Sequence, residues 1–262
     1  MPIQLKPLLL SALSLVLLPL SAQAVPIGTT PDTRPAAPQQ RKQWKNQGLS
    51  LDFSGTFLSG NVNLINTSGT LSYNVNFDQH QIFLDAGQLF TLAGSNLFAN
   101  RINGSLLYAY NLLDYINLYG YSTHSRDESI KLNYRLTNGV GVCWHKILPD
   151  FLSLSLLSAG LATENEWFKD QSSPFAVRGV LRLAMSKPIT EWAEIGIDSF
   201  YTPVVNDFSD YRLYGEAYLK FQLNEVLALK LSVADEYDSR PLSGVLNNDF
   251  GVFTTLRFAW GD

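Results

Sequence analysis

Apolar and polar side chains alternate strictly over the C-terminal part of the chain. Tyr211, Leu213, Gly215, Ala217, Leu219 and Phe221 fall on one parity. Arg212, Tyr214, Glu216, Tyr218, Lys220 and Gln222 fall on the other. A period of two places successive side chains on opposite faces of a strand. The next segment repeats it: Leu227, Leu229, Leu231 and Val233 oppose Ala228, Lys230, Ser232 and Ala234. Between Phe175 and Ser186 the apolar set is Phe175, Val177, Leu181, Leu183 and Met185, with Arg178 and Arg182 on the other face. The final segment sets Leu256, Phe258 and Trp260 against Arg257. From Tyr115 to Tyr121 aromatics occupy one face and small or aliphatic residues the other, so the pattern alone does not choose the outward face.

Twelve such segments are predicted from Leu49 to the C-terminus. Tight connections are expected at 77–80, 113–115, 148–150, 187–190 and 223–225. Longer polar connections are expected near 59–66, 92–99, 123–129, 161–173, 203–209 and 235–248. Short turns at one rim and long loops at the other, on strands of about 10 residues, are the pattern of a transmembrane β-barrel. The expected fold is therefore all-β: a closed antiparallel transmembrane barrel of about 12 strands over residues 49–262. An even strand number puts both ends on the periplasmic side. Aromatics near both sets of connections, such as Phe77, Tyr115 and Trp192 at one and Tyr121, Trp167 and Tyr211 at the other, fit two interfacial girdles.

Composition sharpens this picture. Charged residues make up 16% and aromatics 12% of the chain. The charged share is low for a soluble domain, where about 25% is usual. After residue 24 no stretch is apolar for long enough to form a spanning helix, so the apolar content is spread by alternation. A net charge of -4 argues against nucleic acid as a partner. The single cysteine, Cys143, excludes an internal disulfide.

The N-terminus adds a location. Lys6 precedes an apolar run from Leu8 to Leu20, which ends in Ser21-Ala22-Gln23-Ala24. This reads as a signal peptide over 1–24, cleaved after Ala24, for export to the outer membrane of a Gram-negative-type bacterium. Residues 25–48, with Pro26, Pro31, Pro35, Pro38 and a basic Arg41-Lys42 step, read as a periplasmic linker.

Several motifs carry a family resemblance: Ser59-Gly60-Asn61-Val62-Asn63, Ser209-Asp210-Tyr211-Arg212-Leu213, the run Leu227–Val233, and Tyr237-Asp238-Ser239-Arg240-Pro241 ahead of Asp249. Over roughly residues 50–262 the chain resembles the uncharacterised family of salt-induced outer-membrane proteins, the YdiY-like β-barrels. The resemblance implies an outer-membrane barrel and lends no catalytic residues. Outer-membrane barrels usually end on an aromatic residue, whereas here Gly261 and Asp262 follow Trp260.

No motif for enzyme chemistry stands out, and no cofactor or metal set is indicated. His80 and His145 fall at expected turns, and His124 stands beside Ser125. Adjacent strand residues face opposite ways, so His124 and Ser125 would not pair as base and nucleophile. The constellation left for function is the inward face. Alternation places Arg135, Arg178, Arg182, Arg212, Glu216, Lys220, Lys230 and Arg257 there, with Lys131 also inward and only Glu194, Asp198 and Glu216 opposing. A basic, water-filled lumen would give a narrow, weakly anion-preferring pore for small solutes. The alternatives are a structural or stress-response envelope barrel without transport and, remotely, an outer-leaflet lipid hydrolase. Expected partners are outer-membrane lipids, lipopolysaccharide and, during biogenesis, the barrel-assembly machinery.

Overall fold

The computed structural model describes residues 46–58, 64–93, 96–148, 152, 154–169 and 175–261. The expected signal peptide, nearly all of the expected linker, the Ser59–Asn63 motif, and Pro149 to Phe151 lie outside the described residues.

Twelve strands form the fold: β1 Gln47–Leu58, β2 Leu64–Phe77, β3 His80–Ala93, β4 Asn96–Leu113, β5 Ile116–Asp127, β6 Leu132–His145, β7 Leu154–Phe168, β8 Ala176–Thr190, β9 Ala193–Val204, β10 Asp207–Gln222, β11 Leu227–Asp238 and β12 Asn248–Gly261. Each pairs antiparallel with its sequence neighbours, and β1 pairs with β12, so the ring is closed. Closure leaves no strand edge with unpaired N–H and C=O groups.

The alternation seen in the sequence sorts side chains between outside and inside. On β8, Arg178, Val180, Arg182, Ala184 and Ser186 are buried within the ring, while Leu181 is 47% exposed on the wall. Every strand contributes apolar side chains to the exterior, among them Leu51, Leu71, Leu84, Leu106, Leu118, Val140, Leu161, Leu181, Ile197, Leu219, Val233 and Val252. Many face one another across paired positions, as in Leu51 with Leu71, Val140 with Leu161, and Val233 with Val252. The result is a continuous apolar belt, far larger than the scattered patches of a soluble surface.

Aromatic contacts border the belt. Trp192 and Phe221 stack at 5.9 Å near one rim. Near the other, Tyr211 meets Tyr201 and Tyr237, each at 5.8 Å, and Tyr134 lies 5.4 Å from Trp167.

Three sequence expectations are corrected. Several long polar connections are largely strand: β3 and β4 are separated by two residues, β9 and β10 by Val205 and Asn206 alone, and β7 continues to Phe168, whereas 239–247 joins β11 to β12 as a loop. Glu164, Glu166 and Asp127 pair inside the ring, and that pairing lets the ladder run on past the apolar belt. Tyr121, expected in a girdle, is buried inside. Lys131, expected inward, sits exposed in the turn between β5 and β6 with φ 60°.

The undecided face of β5 is resolved. Tyr119 and Tyr121 point inward and stack at 6.2 Å. Their register partners on β6 are Gly141 and Gly139. A Cβ at 139 would overlap the Tyr121 ring, and one at 141 would lie 2.6 Å from the Ala159 carbonyl oxygen. The two glycines thus make the floor on which the tyrosines lie.

Candidate functional site

The interior is the site to which the sequence pointed. One side of it is filled by side chains. Phe83, Leu107, Ala109, Tyr119, Tyr121, Cys143, Leu156, Ala162, Val180 and Ala184 form one buried apolar cluster reaching from β3 to β8. An apolar interior of this kind excludes water as a protein core does.

Above the cluster, toward the β5–β6 and β11–β12 connections, lies a network of buried charge. Arg135 Nε donates to Glu166 Oε1 at 2.6 Å, and Arg178 Nε donates to Glu164 Oε1 at 2.9 Å. Arg178 Nη1 also reaches Asp210 Oδ1 at 3.0 Å. Arg212 on β10 holds three carboxylates: Asp238 on β11 at 2.9 Å, and Glu164 and Glu166 on β7 at 2.7 and 3.1 Å. Strands β8 and β9 stand between β10 and β7 in the ring. Arg212 therefore crosses the interior rather than lying along the wall. Arg135, Arg178, Arg212, Glu164 and Glu166 are all buried. Charges removed from water in this way persist only when paired and hydrogen-bonded, and the forked guanidinium supplies several donors at once.

The remaining basic groups on the inner wall are paired as well. Arg182 makes a two-pronged contact with Asp198 at 2.8 and 2.7 Å and lies 5.0 Å from the Phe200 ring centre. Lys220 meets Glu194 at 2.9 Å, and Lys230 meets Glu216 at 2.6 Å. Arg257 Nε donates to Asp52 Oδ1 at 2.6 Å. Each of the eight singled-out residues thus has an oppositely charged partner. Sequence reading missed most of the acids. Glu164, Glu166 and Asp238 fall in the expected long connections, yet they lie on strands and, like Asp210, engage interior arginines. The signal was their parity: 164 and 166 share the inward phase of Leu156 and Ala162. With these carboxylates counted, the interior holds no excess of positive charge, and the ground for anion preference disappears.

Space remains on the other side of the ring. A cavity of about 230 Å³ is bounded by β1–β4 and β10–β12, with Asp52, Arg257, Glu216, Lys230, Arg101 and Asn103 on its walls. A second, of about 720 Å³, opens at the rim that carries the chain ends, between Trp192, Glu194, Gln222 and Trp260. Lys220 borders both.

The histidines divide between the two faces. His145 is buried inside, where neither ring nitrogen has a hydrogen-bonding partner among the described residues. His80 and His124 are on the outer wall, each with Nδ1 2.6 Å from a tyrosine hydroxyl, Tyr108 and Tyr134 respectively. Ser125 is buried on the inner face, opposite to its neighbour His124.

A family profile described as "Protein of unknown function, DUF481" matches residues 51–260. The chain belongs to this family. The DUF481 match runs from β1 to β12 and so takes in the whole ring. No curated protein matches the chain. Among solved structures, the NanC porin is similar at 11% identity and TM-score 0.47, covering 80% of this chain and 97% of that one. A bacterial polysaccharide outer-membrane secretin is similar at 10% identity and TM-score 0.46, covering 82% and 98%. The translocator domain of the autotransporter NalP from Neisseria meningitidis is similar at 11% identity and TM-score 0.43, covering 81% and 85%. At TM-scores below 0.5 these likenesses carry no argument about what the DUF481 ring does.

Proposed function

We propose that this DUF481 protein is an outer-membrane barrel with a plugged interior, serving the envelope without passing solutes. The membrane reading rests on the apolar belt, which every strand feeds and which water would not tolerate. Outer-membrane lipid, lipopolysaccharide included, is the partner such a belt fits. The outer membrane is chosen over other membranes because a signal peptide cleaved after Ala24 would deliver the chain to the periplasm. The resemblance to salt-induced outer-membrane proteins adds a stress-response setting.

The observation that carries the plugged reading is Arg212. Its guanidinium spans from β10 to two glutamates on β7 and fills the upper interior on that side of the ring. Twelve strands lie between the eight that side chains fill and the sixteen that leave a channel, so the filling, and not the strand count, supports the plugged reading. Purified protein in planar bilayers is expected to give silent membranes. Single-channel steps from the unmutated protein would overturn the reading. Arg212→Ser combined with Glu164→Ser should create conductance where there was none. Deleting the gene is expected to change salt or detergent tolerance while uptake of small anions stays the same.

A narrow pore is the second reading, favoured by the two cavities that meet at Lys220. Because the walls carry paired charges of both signs, such a pore would select weakly between anions and cations. The same bilayer recordings separate the two readings.

A further inference from the structure

The outer wall of β5 and β6 carries a constellation that the plugged barrel does not use. Ser122 Oγ lies 3.2 Å from His124 Nε2. His124 Nδ1 lies 2.6 Å from the Tyr134 hydroxyl. Residues 122 and 124 are two apart on one strand and so share a face. Tyr134 reaches them from β6, where the register of both neighbouring pairings shifts; such irregularities re-aim side chains. We infer that Ser122, His124 and Tyr134 form a hydrolytic site for acyl esters of outer-leaflet lipids.

The order of contacts is that of an activated nucleophile: hydroxyl, imidazole and a third group orienting the imidazole, all within hydrogen-bond reach. With Nδ1–H donated to the Tyr134 oxygen, Nε2 is left to accept the Ser122 proton. Asn138 is the direct cross-strand partner of Ser122 and is exposed on the same face. Cross-strand partners lie close enough for side chains to meet, so its amide can donate to the oxyanion. On the other flank Leu106 faces Ser122 and Gly104 faces His124. Gly104 leaves a gap in the wall beside the imidazole, bordered by the exposed Leu106 and Ile102, which suits an acyl chain.

Depth fits the same substrate. Tyr134 packs on Trp167, and Tyr and Trp concentrate at the headgroup level, where glycerol esters lie. In the reaction the Ser122 oxygen bonds to the ester carbonyl carbon while its proton passes to His124. The carbon–oxygen bond to the glycerol breaks, and that oxygen takes the proton. Water then attacks the acyl-serine, loses a proton to His124 and releases the fatty acid as Ser122 regains its proton.

The substrate assignment rests on the membrane placement proposed above, but the chemistry can be read independently of it. Purified full-length protein in mixed micelles of detergent and phosphatidylcholine is assayed for fatty-acid release and for labelling by a fluorophosphonate. Heat-modifiable gel mobility reports that each variant is folded. The expected results are release of fatty acid and a fluorophosphonate adduct on Ser122, both lost in Ser122→Ala. His124→Ala should slow release by about 100-fold or more. Tyr134→Phe should lower kcat and displace the pH profile with KM unchanged. His80→Ala, which breaks the equivalent pair with Tyr108 at the other rim, should leave the rate unchanged. Absence of both release and adduct in the folded unmutated protein overturns the inference, as does full activity in Ser122→Ala.

Discussion

Arg212 shows how much one side chain can organise inside a ring. Its three carboxylate partners come from two strands, and all of these groups are buried. Removing one member of such a cluster leaves buried charges short of a partner, at a cost of about 3–5 kcal/mol. Arg212→Ala is therefore expected to lower the free energy of unfolding in lipid vesicles by that amount, as read from urea titrations followed by tryptophan fluorescence. Glu164→Ala, which takes one carboxylate from Arg212 and from Arg178 together, should cost at least as much, and the double variant less than the sum. Glycine matters for the opposite reason. At position 141 the space is already taken by Tyr119 and the Ala159 carbonyl, so Gly141→Ala should destabilise by about 1–3 kcal/mol through overpacking. The same titration checks it, with Gly215→Ala as the tolerated comparison, since nothing lies within 4 Å of a Cβ there.

At the scale of the strand, legibility followed chemistry. Strands β8, β10, β11 and β12 could be read because each sets Leu, Val or Phe against Arg or Lys, and only one assignment keeps charge away from lipid. Strand β5 could not, because Tyr119 and Tyr121 are acceptable on either face; Gly139 and Gly141 on the next strand hold the answer, and using them requires knowing the register. The upper ends of β7 and β10 read as loop because Thr163 to Trp167 and Asp207 to Ser209 are rich in polar residues, the usual mark of a connection. Their carboxylates are instead satisfied by arginines on other strands, a pairing that only exists once the ring has closed. The lipid-facing side of a strand can be tested directly. Leu181→Arg places a charge on the middle of the β8 wall and should cost about 2–4 kcal/mol in vesicle folding titrations. Val180→Ala, on the buried face of the same strand, should instead loosen the apolar cluster without affecting lipid contact.

For the whole molecule, the decisive pairing is the one between the two ends of the chain. The seam of β1 with β12 has seven paired positions, against twelve between β1 and β2. It is braced by Asp52 and Arg257, 205 residues apart in sequence. Asp52→Ala should weaken closure by about 1 kcal/mol, since the Arg257 side chain is more than a third exposed and water screens the pair. A lowered temperature for the heat-modifiable shift in gel mobility would register it. The seam also dictates timing. Until the last strand has been delivered, the first has no partner on one side, and every intermediate carries two bare, adhesive borders. A nascent chain must therefore be kept from its copies by an escort until its tail arrives, and a ribosome that stops before residue 248 releases a polypeptide fated to clump rather than a smaller cylinder.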